Sequence, residues 1–482
     1  MHELLDRCLV SMPYTVAKPD TAAVLEELHL FGGKETYSPH PKYHDEAYEI
    51  LQRSLAEGWA VSGRTSAVTE SSLRAVVCGF NPTSGPGYPE CKRHQTKKDY
   101  VKANGGVDGA TAVLTRFLRQ VLECEDPAQL PAYWLVHGKE DKYKAGKLDR
   151  MRTIQGSSIQ FQFVHQAYFK EVEEWLHQRP TWMTSFNPAG TKWSNRFKQL
   201  VASGPFSGGH DATGWDRNVP GQAIYAYYDL LATLVEVPDN VLAWLKYHSV
   251  HSLLVVPGGD PQYEGDTTAL ILQKHRGNPS GHPGTIHINS LVHELFMIAV
   301  SLEVGTLHYD GSVVTGDLDY EICGDDNVYF GSREAIETML QDSTLQLWRD
   351  RYGVVLKKDG PYEHGSLDSL GPHAEFLSRF SVLLGDRLVP VPVNPVRMMV
   401  RETHVGPDDS AEDVWLRTIG LSDQINLWRA VDYARPNEFL VPEVKAAEQL
   451  IRLVARRCGK ESLLPRLLPP AGEVYRVVME TL

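Results

Sequence analysis

Tyr320-Glu321-Ile322-Cys323-Gly324-Asp325-Asp326-Asn327-Val328-Tyr329-Phe330 is the stretch whose reading decides the fold. Apolar, β-branched and aromatic residues flank a tight polar centre, the pattern of a β-hairpin whose turn presents two adjacent carboxylates. Like charges side by side repel, so such a turn needs cations, a helix N-terminus or water around it. A solvated Gly-Asp-Asp turn has the same composition, and the meaning of Asp325 and Asp326 therefore depends on partners elsewhere in the chain.

Two segments supply candidate partners. Asp211-Ala-Thr-Gly-Trp-Asp216 lies on the connection within 205–218, read as a strand leading into a turn before a helix over 219–236, with one acid at the strand end and the second five residues later. A strand-end Asp211 beside the hairpin completes a carboxylate cluster able to hold two divalent ions, and carboxylate oxygens are the ligands magnesium prefers. Asn278-Pro-Ser-Gly-His-Pro-Gly-Thr-Ile-His-Ile-Asn289-Ser290 runs from a flexible loop into a helix over 285–302. Thr285 and Asn289 are four apart and share one helix face, where they can read a sugar. Capping by Ser280 or Thr285 accounts for part of this polarity, but not for Asn289 on an otherwise apolar helix.

With 482 residues the chain is long enough for about two to four subdomains. Hydrophobic content of 42% and charged content of 23% fit a soluble globular protein, and no apolar run approaches the roughly 20 residues of a membrane span. The start Met-His-Glu-Leu-Leu-Asp-Arg lacks a secretory pattern, which predicts an intracellular protein. The six cysteines are scattered with no Cys-x-x-Cys pair, which predicts reduced thiols and no zinc site. A net charge of −13 excludes a protein that coats nucleic acid with its whole surface, but leaves room for a local basic channel.

Such a channel has a candidate. Lys139, Lys142, Lys144, Lys147, Arg150 and Arg152 stand against Glu140, Asp141 and Asp149, a positive segment that suits a triphosphate. Amphipathic helices are read near 44–57 and 109–124, an ordered loop at 81–99, a helical stretch to about 351, a strand at 353–357 and a second hairpin at 374–391. The last ninety or so residues read as mainly helical, with a basic cluster at Arg452, Arg456, Arg457 and Lys460.

The order Asp-x4-Asp, Ser-Gly-x3-Thr-x3-Asn, Gly-Asp-Asp resembles motifs A, B and C of viral RNA-dependent RNA polymerases of the positive-strand, picornavirus-like group. Asn81-Pro-Thr-Ser-Gly-Pro-Gly-Tyr-Pro89 with Lys97-Lys98 is similar to their motif G on the template path, and Lys139 through Ile154 to the basic motif F. Lys357-Lys358 after Tyr352-Gly353 is similar to motif D, and Glu375-Phe-Leu-Ser-Arg379-Phe to the motif E hairpin. The resemblance covers roughly 81–385. Cys323 stands where picornavirus-like members usually have Tyr, a position that supports the turn rather than the chemistry.

The resemblance implies an α+β right-hand fold of fingers, palm and thumb, with an antiparallel palm sheet packed on helices. The implied division is 1–205 fingers with an N-terminal extension, 206–235 palm with motif A, 236–277 fingers return, 278–385 palm with motifs B to E, and 386–482 thumb. It implies an RNA-directed RNA polymerase in which Asp211 and Asp325, with Asp326 as a weaker contributor, bind two Mg2+ ions, Mn2+ being an alternative. Lys139, Lys147, Arg150, Arg152, Asp216, Ser280, Gly281, Thr285 and Asn289 are implied to bind the nucleotide, with Asp216, Asn289 and Thr285 sensing the ribose 2′-hydroxyl. Thr83, Ser84, Gly85, Tyr88, Lys97, Lys98 and Arg379 are implied to bind RNA. Lys358 is the preferred general acid for pyrophosphate, with Lys357 open beside it. Implied partners are RNA template and product, NTPs, an oligonucleotide or protein primer and other viral replication proteins. The implied location is the host cytoplasm, at membrane replication complexes reached through those proteins. Three other classes remain open here: a reverse transcriptase or other two-metal palm nucleotidyltransferase, a metal-dependent phosphohydrolase, and a non-catalytic RNA-binding replication factor.

Overall fold

The structure is a computed structural model that describes residues 14–17, 21–33, 35–139, 141–144, 152–184, 191–257, 269–367, 373–393, 410–435 and 442–481. It is a mixed α+β chain organised around two four-stranded sheets. In the first, strands run in the order Leu318–Cys323, Asp326–Gly331, Phe206–Ala212, Leu356–Glu363, every neighbour antiparallel. The Gly-Asp-Asp hairpin is thus an edge pair whose second strand rests on the Asp211 strand. Strand Leu356–Glu363 begins three residues later than the strand read at 353–357 and runs longer.

Strand Asp326–Gly331 is buried on both faces, which explains why Val328-Tyr329-Phe330 is a continuous apolar run rather than an alternating one. Ile322 and Tyr329 join the main core with the Thr285–Glu303 helix, while Val328 and Phe330 pack with Trp193 and Phe197 of the Thr191–Ser203 helix on the other side. Against the sequence expectation that no apolar run approaches a membrane span, the Thr285–Glu303 helix is long and apolar enough to cross one, the one such helix among the described residues. It lies inside the protein, and its composition is that of a helix buried all round.

The second sheet runs Thr153–Ser157, Tyr133–Gly138, Leu253–Pro257, Ala269–Gln273, with the middle pair parallel. Helices Gly106–Glu123, Ile159–Leu176 and Asp239–Val250 share its core, and the core continues without a break from Val24 to Leu356. The short strand Tyr14–Ala17 pairs with Asp141–Lys144 of the basic segment. Near the C-terminus, a hairpin of Arg379–Leu384 and Arg387–Pro392 leads to helices Ala411–Ala434, Pro442–Arg457 and Ala471–Thr481, which have apolar clusters of their own. The five described cysteines are free thiols.

Candidate active site

The hairpin turn is tighter than its sequence suggests. Cys323 pairs with Asp326, so the turn proper is Gly324-Asp325 and Asp326 opens the following strand. Gly324 has φ 67, the left-handed value that a two-residue hairpin loop with glycine at its first central position requires. The turn is gripped from the Thr285–Glu303 helix. The Gly324 N–H donates to Ser290 Oγ at 2.9 Å, and His293 Nδ1 donates to the Gly324 carbonyl at 3.0 Å. His293 is neutral enough for this tautomer: burial lowers its pKa to about 4, and its Nε2 accepts from Asn327 Nδ2 at 3.2 Å.

Asp211, next to last in its strand, is exposed to solvent, and the pairing of Asn327 with His210 one step earlier sets Asp211 level with Asp326. Asp325, exposed at the turn, is walled by surrounding protein: desolvation raises its carboxyl pKa, Arg152 opposes the rise and Asp211 adds to it. Asp216 is pushed up to about 6, first by burial and further by Asp325, while Asn289, Arg152 and Lys139 pull it down. Acids from two separate segments therefore sense one another and share one basic neighbour. Among the described residues no group of three or more His, Cys, Asp or Glu converges on a metal position. The donor set still fits magnesium, which binds through one or two carboxylates and completes its octahedron with water and phosphate.

The basic wall is partly described. The Lys139 N–H donates to the Arg152 carbonyl at 2.8 Å, so the two ends of the basic segment are held together and both act on Asp216. Lys147 and Arg150 lie outside the described residues.

Two of the residues expected to read the sugar meet directly. Asn289 Nδ2 donates to Asp216 Oδ1 at 2.9 Å. The Thr285 hydroxyl is taken up by the loop, donating to the carbonyls of Pro279 at 3.0 Å and His282 at 2.8 Å. Ser280 donates to the Thr153 carbonyl at 3.2 Å, and Gly281 forms a β-bridge to Gly156, which docks this loop on strand Thr153–Ser157. A Cβ on Gly281 would lie 2.6 Å from the Gln155 carbonyl oxygen, so the contact requires glycine. Beneath the loop, His282 Nδ1 accepts from the Gly284 N–H at 2.9 Å and its Nε2 lies 2.9 Å from Tyr228 Oη.

The two motif D lysines diverge. Lys357 pairs with Asp211 across the sheet, its Nζ 4.0 Å from Asp211 Oδ2, whereas Lys358 Nζ reaches the other way to Asp342 Oδ1 at 3.2 Å. Of the expected RNA-binding residues, Thr83 and Ser84 turn back on Asn81 and, with Gly85, form part of a compact turn. The Tyr88 ring packs edge-on against Tyr133. Lys98 is exposed, but Lys97 is buried, its Nζ donating to Gln162 Oε1 at 2.7 Å. Arg379 is likewise occupied, donating to Gln424 Oε1 at 2.6 Å and tying the second hairpin to the Ala411–Ala434 helix.

The motif reading did not single out Ser290, His293 or Asn278. The only signal for the first two was their polarity on an apolar helix, and Asn278 stood in plain sight at the head of the loop.

Carboxylates level with one another at a sheet end, an Asp–Asn couple and an arginine whose charge acts on Asp325 and Asp216 suit a nucleotidyl-transferring enzyme. Residues 70–354, more than half of the chain, match the family of viral RNA-dependent RNA polymerases, and the chain belongs to that family. It is an RNA-directed RNA polymerase, with RNA template and nucleoside triphosphates as substrates, in a family that uses divalent metal ions. No curated protein sequence matches the chain.

Proposed function

We propose that the chain is a picornavirus-like, right-hand polymerase that replicates and transcribes a viral RNA genome by two-metal nucleotidyl transfer to a growing RNA 3′ end. The division into fingers (1–205 and 236–277), palm (206–235 and 278–385) and thumb (386–482) belongs to this proposal. When bound, two Mg2+ or Mn2+ ions would lower the pKa of the attacking 3′-hydroxyl and neutralise the leaving phosphates.

Asp211 and Asp325 would hold those ions, with Asp326 contributing more weakly. Arg152 and Lys139 bind the triphosphate, and Asp216, oriented by Asn289, accepts a hydrogen bond from the ribose 2′-hydroxyl. A motif D lysine gives the pyrophosphate its proton from Nζ. A primer, other viral replication proteins and membrane-bound complexes in the host cytoplasm complete the proposal.

The observation that carries this reading is the strand register that pairs Asn327 with His210 and so sets Asp211 level with Asp326 at the hairpin turn, with Asn289 donating to Asp216 at 2.9 Å. The test is magnesium-dependent synthesis on a homopolymeric RNA, with and without an oligonucleotide primer, offering NTPs and dNTPs in parallel. Asp325→Ala is expected to abolish extension while leaving the circular dichroism spectrum unchanged. Substantial synthesis by that variant sinks the metal assignment, and equal use of dNTPs sinks the sugar-sensing one.

A further inference from the structure

Asn278 is held against Asp216 by two routes. Its backbone N–H donates to the Asp216 carbonyl at 2.6 Å. Its side-chain Nδ2 lies 2.8 Å from Asn289 Oδ1 and 3.2 Å from the Thr285 carbonyl, and Asn289 in turn donates to Asp216 Oδ1. Asn278 is fully buried, so no water competes for these bonds.

The direction of the chain is forced by chemistry. An ionised Asp216 can only accept, so Asn289 must turn its NH2 toward it. The Asn289 carbonyl then faces Asn278 and needs a donor, which Asn278 Nδ2 supplies. Asn278 Oδ1 is left without a hydrogen-bond partner among the described residues. A buried amide that uses its donor end twice and leaves its acceptor end empty is held there for what it donates. Asn289 takes Asp216 Oδ1, and Asp216 Oδ2 is the atom left for an incoming hydroxyl.

We propose that Asn278 is a positioning residue for sugar selection: by donating to Asn289 it fixes which end of that amide faces Asp216, and so keeps one carboxylate oxygen engaged and the other open for the ribose 2′-hydroxyl. This rests on the reading of Asp216 and Asn289 as the sugar sensor. A residue that merely braces the loop would affect ribonucleotides and deoxyribonucleotides alike, whereas this role affects only substrates that carry the hydroxyl.

Asn278→Asp is nearly isosteric and keeps the backbone bond to Asp216, but it cannot donate from its side chain. Asn289 would have to turn its NH2 toward the new carboxylate and its carbonyl toward Asp216. Steady-state primer extension by the full chain, with kcat and KM for an NTP and the matching 2′-dNTP, reads the outcome. For Asn278→Asp the NTP KM is expected to rise about tenfold, the loss of one good hydrogen bond, with NTP kcat and both dNTP constants within about twofold of wild type. Asn278→Ala is expected to lower the NTP-over-dNTP preference in the same sense. An unchanged preference in Asn278→Asp overturns the proposal, as does an equal loss for both nucleotides. Failure of the underlying sugar-sensor reading looks different, because the wild-type chain itself would then use dNTPs as readily as NTPs.

Discussion

Ser290 Oγ accepts the Gly324 N–H at 2.9 Å, so the turn that carries Asp325 hangs from the helix residue next to Asn289. The turn that carries Asp325 and the amide of Asn289 thus take their positions from one buried helix, and a shift of one moves the other. Ser290→Ala leaves a buried N–H without an acceptor, which is expected to cost about 1–3 kcal/mol. It is also expected to lower kcat by about tenfold or more through misplacement of Asp325, with KM little changed. Thermal unfolding and primer-extension kinetics check both numbers. Wild-type values for both would mean that the hairpin holds its own geometry.

Lys357 and Lys358 are neighbours in sequence and face opposite ways. Only Lys357 lies beside Asp211, while Lys358 is paired with Asp342 at the surface. If the proton for pyrophosphate comes from this strand, Lys357→Leu is expected to lower single-nucleotide incorporation by about 10²-fold or more, the usual worth of a general acid. Lys358→Leu is expected to stay within about threefold, since an exposed ion pair contributes little. The reverse order of effects would assign the proton to Lys358, the residue the sequence reading prefers.

The hairpin was legible because a two-residue turn with glycine, flanked by β-formers, has few alternative structures. The order of the three palm-like motifs was legible for the same kind of reason: each is a local pattern, and the family match spans all of them. What stayed hidden depends on tertiary pairing. The choice between Lys357 and Lys358 is a question of strand register, and one step of register exchanges the two faces. Lys97 looked like a surface cation, yet Gln162 and the Phe80 ring, 5.5 Å from its Nζ, make room for it inside. Arg379 looked free for RNA until the Ala411–Ala434 helix brought Gln424 to it.

Gly281 allows the loop over 278–284 to lie on strand Thr153–Ser157. In Gly281→Ala the new methyl would meet the Gln155 carbonyl oxygen at 2.6 Å and the Gly156 Cα at 2.8 Å, both backbone atoms that cannot swing aside. The loop must lift, carrying Ser280 and Asn278 with it. The expected result is a loss of about 1–3 kcal/mol in unfolding free energy, as for other overpacked sites, together with a raised NTP KM. Equal KM values for the two proteins would show that the docking does not position the nucleotide.

Acid should unfold this protein unusually early. Burial lowers the pKa of His210 to about 3, of His248, His287, His293 and His373 to about 4, and of His282 well below the ordinary value. A histidine whose folded pKa is depressed contributes stability that is present above about 6.5 and is lost as pH falls toward the folded value. Two carboxyls work the other way: burial raises Glu321 to about 8 and Asp216 to about 6, so protonating them on acidification favours the fold. Glu27, Asp325 and Asp423 shift in that same sense, and His44, His177, His251 and His364 in the histidine sense. The histidines outnumber the acids, and each uncompensated proton changes stability by about 1.4 kcal/mol per pH unit. Against a total stability of about 5–15 kcal/mol, a few such protons exhaust the fold within about one to two units below pH 6.5. Tryptophan fluorescence against pH is therefore expected to show cooperative unfolding with a midpoint near about pH 5. His248→Gln keeps an amide donor for the Pro127 carbonyl, which His248 Nε2 now meets at 2.9 Å, and removes one proton from the balance. Its midpoint is expected at lower pH than wild type. A wild-type midpoint below pH 4, or no movement in the variant, would mean that buried neutral histidines do not set the acid limit.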